Sequence, residues 1–159
     1  MDNMSEKCGF VTLLGAPNAG KSTLVNYMVG AKVSIVSPKV QTTRARVRGI
    51  FVKGSCEIVL IDTPGIFKPK RRLDRAMVAA AWQEAEYSDV RLVLVDAKRG
   101  LDDDTRSIMD SLLKNKLKAV LVLNKSDLVK PARLVELSAR LNESGLFKET
   151  FMLSAATGN

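Results

Sequence analysis

Gly9-Phe10-Val11-Thr12-Leu13-Leu14-Gly15-Ala16-Pro17-Asn18-Ala19-Gly20-Lys21-Ser22-Thr23-Leu24-Val25 decides how the rest of the chain is read. Gly9 to Leu14 is a short apolar run with the character of a buried strand. It ends in a glycine-bounded turn, and from Ser22 the composition turns helical, with Leu24, Val25 and Met28 on one side and Gly30 closing the segment. Gly15 to Ser22 matches G-x-x-x-x-G-K-[ST] in the strand-then-helix context that gives the pattern its meaning. The glycines let backbone N–H groups turn inward around phosphates, and the helix N-terminus adds the positive end of its dipole. Lys21 brings a point charge to the β- and γ-phosphates, and the Ser22 hydroxyl is a hard ligand for Mg²⁺. Gly15, Asn18, Ala19, Gly20, Lys21, Ser22 and Thr23 are therefore candidate nucleotide contacts.

Outward from this stretch, Val47–Val52 and Glu57–Ile61 are β-rich runs split by Lys53-Gly54-Ser55, which predicts an antiparallel hairpin. Leu73–Glu86 is Ala-rich and helical. Val90–Val95, Ala119–Leu123 and Thr150–Leu153 read as strands. Asp103–Lys114, with Asp102 or Asp103 as N-cap, and Pro131–Asn142, with Pro in the first turn, read as helices. Strands alternating with helices require right-handed crossovers. The expected fold is a three-layer α/β P-loop NTPase fold, with a mostly parallel six-stranded sheet, one antiparallel edge strand and helices on both faces.

In a parallel sheet, ligands bind beyond the carboxyl ends of the strands, so the residues that follow each strand carry the chemistry. Asp62-Thr63-Pro64-Gly65 follows the third strand. A carboxylate ending an apolar run is costly unless a cation holds it. Mg²⁺, reached through water, would do so, and the Gly65 amide is placed to bond a γ-phosphate. Asn124-Lys125-Ser126-Asp127 follows the fifth strand. The Asp127 carboxylate can accept from both N1–H and the exocyclic amine of guanine, and adenine would leave it unpaired. Asn124 can bond the N7/O6 edge and tie loops together, and the Lys125 stem can lie on the base plane. After the last strand, Ser154-Ala155 places the Ala155 amide to donate to guanine O6.

Composition excludes much else. The 159 residues are 46% hydrophobic and 26% charged, the range of one soluble globular domain. No apolar run reaches the roughly 18–20 residues that span a bilayer. Met1 to Lys7 is polar and acidic, unlike a secretory signal. Cys8 and Cys56 read as reduced cytosolic thiols. The absence of histidine removes imidazole bases, Ser-His-Asp systems and H-E-x-x-H zinc sites. Net charge is +8, and the window from Lys39 to Arg75 carries ten basic residues against three acids, which leaves +7 there. Such a field favours anionic partners such as RNA, or is a solvated charged surface.

These loops, in this order, resemble those of the translation-factor-like P-loop GTPases. Val33 to Arg46 resembles the first switch of the Era family of bacterial GTPases, and Ile66 to Leu73, with Met77 downstream, resembles its second switch. The match departs at Asp74, where Gly is expected. The resemblance implies a Mg²⁺-dependent GTP-binding switch that hydrolyses GTP to GDP and phosphate. Its catalytic groups would be Lys21, Thr43 and Gly65, and its metal ligands Ser22, Asp62 and Thr43, with Thr42 as the alternative to Thr43. Ile66 stands where many GTPases carry Gln to orient the attacking water. In relatives with Asn at the position of Asn18 a K⁺ ion can sit beside the phosphates and supply charge, although Asn18 also reads simply as a turn former. The resemblance further implies a role in 16S rRNA and 30S subunit maturation. It implies a cytoplasmic location with peripheral contact at the inner membrane. It also implies a KH RNA-binding domain and a closing helix beyond Asn159, so the expectation is a truncated GTP-binding domain with one sheet face partly uncovered. The rival readings are the GTP-binding domain of a tRNA-modification or double-domain ribosome-assembly GTPase, and a nucleotide- or RNA-binding module with negligible hydrolysis.

Overall fold

The computed structural model describes residues 7–31, 47–66 and 72–159. Both stretches read as switches fall largely outside these residues, and Thr42 and Thr43 fall wholly outside them. In chain order the elements are β1 (Lys7–Gly15), α1 (Lys21–Val29), β2 (Val47–Lys53), β3 (Cys56–Asp62), α2 (Arg72–Tyr87), β4 (Val90–Asp96), α3 (Asp103–Lys114), β5 (Ala119–Asn124), α4 (Pro131–Asn142) and β6 (Phe147–Met152), with a short 3₁₀ turn at Ser126–Leu128. The sheet order is β2-β3-β1-β4-β5-β6. Among the described residues only the β2–β3 pairing is antiparallel. The expected architecture is borne out.

Burial along the strands is graded. β1 and β3 are exposed or half-exposed where they begin and fully buried over their last four residues. The carboxyl halves are therefore the apolar centre of the sheet, and the loops that leave them start from rigid positions. One face packs Leu14, Val93, Val95, Leu121 and Leu123 against Ala81 and Ala85 of α2, Ile108 and Leu112 of α3, and Leu134, Leu137 and Leu141 of α4. The other packs Leu13, Leu60, Leu94 and Val122 against Leu24 and Val25 of α1, with Val11, Phe51, Ile58 and Leu92 half-buried.

β6 begins three residues earlier than the apolar reading Thr150–Leu153 suggests. Phe147-Lys148-Glu149 lies at an open edge of the sheet, where polar side chains stay in water while the backbone pairs with β5. Of the two candidate caps of α3, Asp102 does the work: its Oδ1 accepts from the Thr105 amide at 2.8 Å. At the other end Lys116 takes a left-handed conformation, φ 55°. The Lys116 amide donates to Leu113 O, and the Leu117 amide donates to Leu112 O. That bond pair is a Schellman motif with lysine where glycine is favoured. Arg91 donates to the carbonyls of Ala85, Glu86 and Ser88 and so closes the C-terminus of α2.

Lys116→Gly should raise stability by about 0.5–1 kcal/mol by removing left-handed strain. Asp102→Ala should lower it by about 1 kcal/mol. Urea midpoints that move in opposite directions at constant slope are the expected result.

Candidate nucleotide site

The register brings the candidate loops together. Leu13 pairs with Asp62, Gly15 with Leu94, and Asp96 with Asn124, so β1, β3, β4 and β5 end on one rim. The loops are then tied directly. The Ile66 amide donates to Gly15 O at 2.9 Å, and the Thr63 hydroxyl donates to Leu13 O at 2.6 Å. A Cβ on Gly65 would lie 2.8 Å from the Pro17 backbone, so the D-T-P-G loop approaches the phosphate loop closely enough to require glycine. Gly20, at φ 101°, precedes α1, and a Cβ there would collide with the Asn124 side-chain amide.

Asn124 is 2% exposed. Its Nδ2 donates to Ala19 O at 2.9 Å, and its Oδ1 accepts from the Ala155 amide at 2.9 Å. Three loops from three strands meet on one amide. The Ala155 amide therefore points at Asn124 here, and bonding a base oxygen would mean sharing or leaving that bond. Ser154 is buried, and its hydroxyl accepts from the Thr157 amide. The Asp127 carboxylate is exposed, and no described residue bonds it. Lys125, in a left-handed conformation with φ 62°, donates from Nζ to Asn18 O at 2.7 Å and to Asp96 Oδ2 at 2.6 Å. Asp96 and Arg99 are neighbours that the motif reading missed; the Arg99 guanidinium donates to Pro17 O at 3.4 Å. A signal for Asp96 was present, because Val93-Leu94-Val95-Asp96 ends an apolar strand on a carboxylate just as Val59-Leu60-Ile61-Asp62 does.

Lys21 opens α1 and is 5% exposed, with Nζ donating to Gly15 O at 3.2 Å and Ala16 O at 3.0 Å. Burial lowers its pKa to about 8, against a smaller opposing pull from Asp62. The Ser22 hydroxyl donates to Asp62 Oδ2 at 2.6 Å. One hydroxyl and one buried carboxylate make a hard oxygen donor pair suited to Mg²⁺. Among the described residues no group of three or more Cys, Asp or Glu could hold a metal unaided. A Mg²⁺ ion would need phosphate oxygens and water as well, its usual arrangement. Thr23 is half-buried on α1, and Asn18, φ 62°, is exposed on the phosphate loop. Ile66 is 3% exposed and packed with the α2–α3–α4 core, so its side chain is turned away from solvent.

Residues 10–125 match the model of the family described as 50S ribosome-binding GTPase. The chain belongs to that family. The Era resemblance holds at the level of sequence and fold. GTPase Era of Bradyrhizobium sp. (strain ORS 278) is 56% identical over 96% of this chain and 50% of its own length. A crystal structure of Era in complex with MgGDPNP and nucleotides 1506–1542 of 16S ribosomal RNA is 37% identical, with TM-score 0.89 over 96% of this chain and 52% of that one. A point variant of Aquifex aeolicus Era bound to GDP and AlF₄⁻ is 36% identical, with TM-score 0.88 over the same shares. The chain thus spans about half the length of the relatives it matches.

Burial of the Lys21 ammonium makes the stability of the fold depend on pH. The charged form is disfavoured in the ligand-free fold, so that penalty is fully present below about pH 8 and is relieved as pH rises toward the ordinary lysine value of 10.5. Ligand-free stability should therefore rise over that interval. Phosphates would restore the charge, so GDP binding at pH 9 should take up a proton, and binding at pH 6.5 should not. Calorimetry in buffers of different ionisation enthalpy reads the uptake, and Lys21→Met should abolish it.

Proposed function

We propose that this chain is the guanine-nucleotide-binding, GTP-hydrolysing unit of an Era-type switch protein acting in 16S rRNA and 30S subunit maturation. The observation that carries the reading is the convergence of G-x-x-x-x-G-K-S, D-T-P-G, N-K-x-D and the Ser154-Ala155 loop on one rim, cross-tied through Asn124. Lys21 and the N-terminus of α1 cradle the phosphates. Gly65 bonds the γ-phosphate through its amide, which makes its loop sensitive to loss of that phosphate. Asp127 reads N1–H and the exocyclic amine of guanine, while Ala155 takes O6 and Asn124 braces the loops. Ser22, Asp62 and Thr43 would hold Mg²⁺, which would neutralise negative charge developing on the phosphates.

Hydrolysis by these residues alone is slow. Ile66 is apolar and buried, so it offers neither a hydrogen bond to orient water nor a charge. Asn18, exposed beside the phosphate loop, supports K⁺ as the missing positive charge, and the ribosome is the other source. A charge supplied in this way is worth about 10³–10⁵ in rate. The basic window supports contact with RNA. It also supports salt-sensitive peripheral contact of a cytoplasmic protein with an anionic membrane surface.

Asp127→Asn should move preference from guanine to xanthine nucleotides by about 10³-fold or more, because each ring edge then meets its own complement; equilibrium titration with GDP and XDP measures it. Single-turnover hydrolysis should run at least tenfold faster in potassium than in sodium buffer, on the order of the charge effect above. Equal rates would remove the ion, and no turnover with tight GTP binding would leave a binding module.

A further inference from the structure

We propose that Asp96 is a positioning residue for guanine-nucleotide binding, acting through Lys125. The proposal rests on the guanine reading above and extends it to a residue that lies outside all the recognised loops.

Asp96 ends β4 opposite Asn124 on β5. Its two carboxylate oxygens have separate tasks. Oδ1 accepts from the amides of Lys98 and Arg99, at 2.9 and 3.3 Å, and so shapes the turn that leaves β4. Oδ2 accepts from Lys125 Nζ at 2.6 Å, with the Asp96 side chain 11% and the Lys125 side chain 29% exposed. The same ammonium donates to Asn18 O in the phosphate loop. The lysine head is therefore held between a carboxylate of one loop and a carbonyl of another, and its backbone is in the left-handed region that a lysine rarely adopts.

Lysine is a long side chain with much rotamer freedom to lose when it is held in place. For its stem to serve as a platform for a base, that freedom must be removed either by the nucleotide or beforehand by the protein. The Asp96 carboxylate and the Asn18 carbonyl remove it beforehand, so the platform is present before the base arrives and bound nucleotide leaves more slowly. Lys125 meets the flat face of the base and not its edge. The effect of Asp96 should then be indifferent to the exocyclic groups that Asp127 reads.

Asp96→Asn separates the two tasks, because an amide oxygen still accepts from Lys98 and Arg99 while the charge facing Lys125 is gone. GDP dissociation, followed by stopped flow with a fluorescent GDP analogue and unlabelled competitor, should become about tenfold faster, the size expected for one lost charge-assisted bond. IDP, whose base lacks the exocyclic amine, should lose affinity by the same factor, and the ligand-free melting midpoint should stay within a degree or two. In the background of Lys125→Met the same change at Asp96 should have no further effect on dissociation. Unaltered GDP dissociation in Asp96→Asn would overturn the proposal, and so would equal additive effects in the double variant. Failure of the parent protein to bind GDP would overturn the guanine reading and this inference with it.

Discussion

A single buried amide holds the rim of the sheet together. Asn124 has both ends of its side chain engaged, one by the carbonyl of Ala19 and one by the amide of Ala155. An unpaired amide at that depth would cost on the order of 1–3 kcal/mol, so the three loops are not free to move apart independently. Gly20 must lack a side chain for Asn124 to reach across. The arrangement that brings the phosphate loop, the Asn124 loop and the last loop to one rim is thus first of all a hydrogen-bonding constraint.

The phosphate cradle carries the opposite economy. Lys21 is held inside the fold by two carbonyls, at a depth that disfavours its own charge. Ser22 and Asp62 stand bonded to each other within the same cradle. Burial loosens the hold of Lys21 on its proton, and Ser22 with Asp62 offers a hard oxygen pair to a cation.

At the second end of the site the economy is one of order and not of charge. Lys125 is anchored at Asn18 and Asp96, and Arg99 reaches Pro17 from the loop after β4. The phosphate loop is therefore contacted from the β3, β4 and β5 loops at once. Ile66, by contrast, is given over to the core. The Ile66 side chain thus serves packing and offers no polar group to the rim.

The α/β class, the alternation of elements and the phosphate loop were legible in the chain because they depend on near neighbours: apolar runs of strand length, glycine at turns, and a lysine and serine at the start of a helix. Asp62, Asn124 and Asp127 were legible because a polar residue ending an apolar run is conspicuous. The true start of β6 was not, since a polar segment becomes a strand only when an edge is there to pair with it. Nor could residue order reveal that Asp96 faces Lys125, that Asn124 reaches Ala19, or that Ile66 turns inward. Those contacts join residues 29 to more than 100 positions apart, and local pattern carries no information about which strand ends fall side by side. The sequence by itself determined which groups are available to bind a nucleotide. The order β3-β1-β4-β5, set by how the apolar faces pack, decided which of them stand within reach of one another.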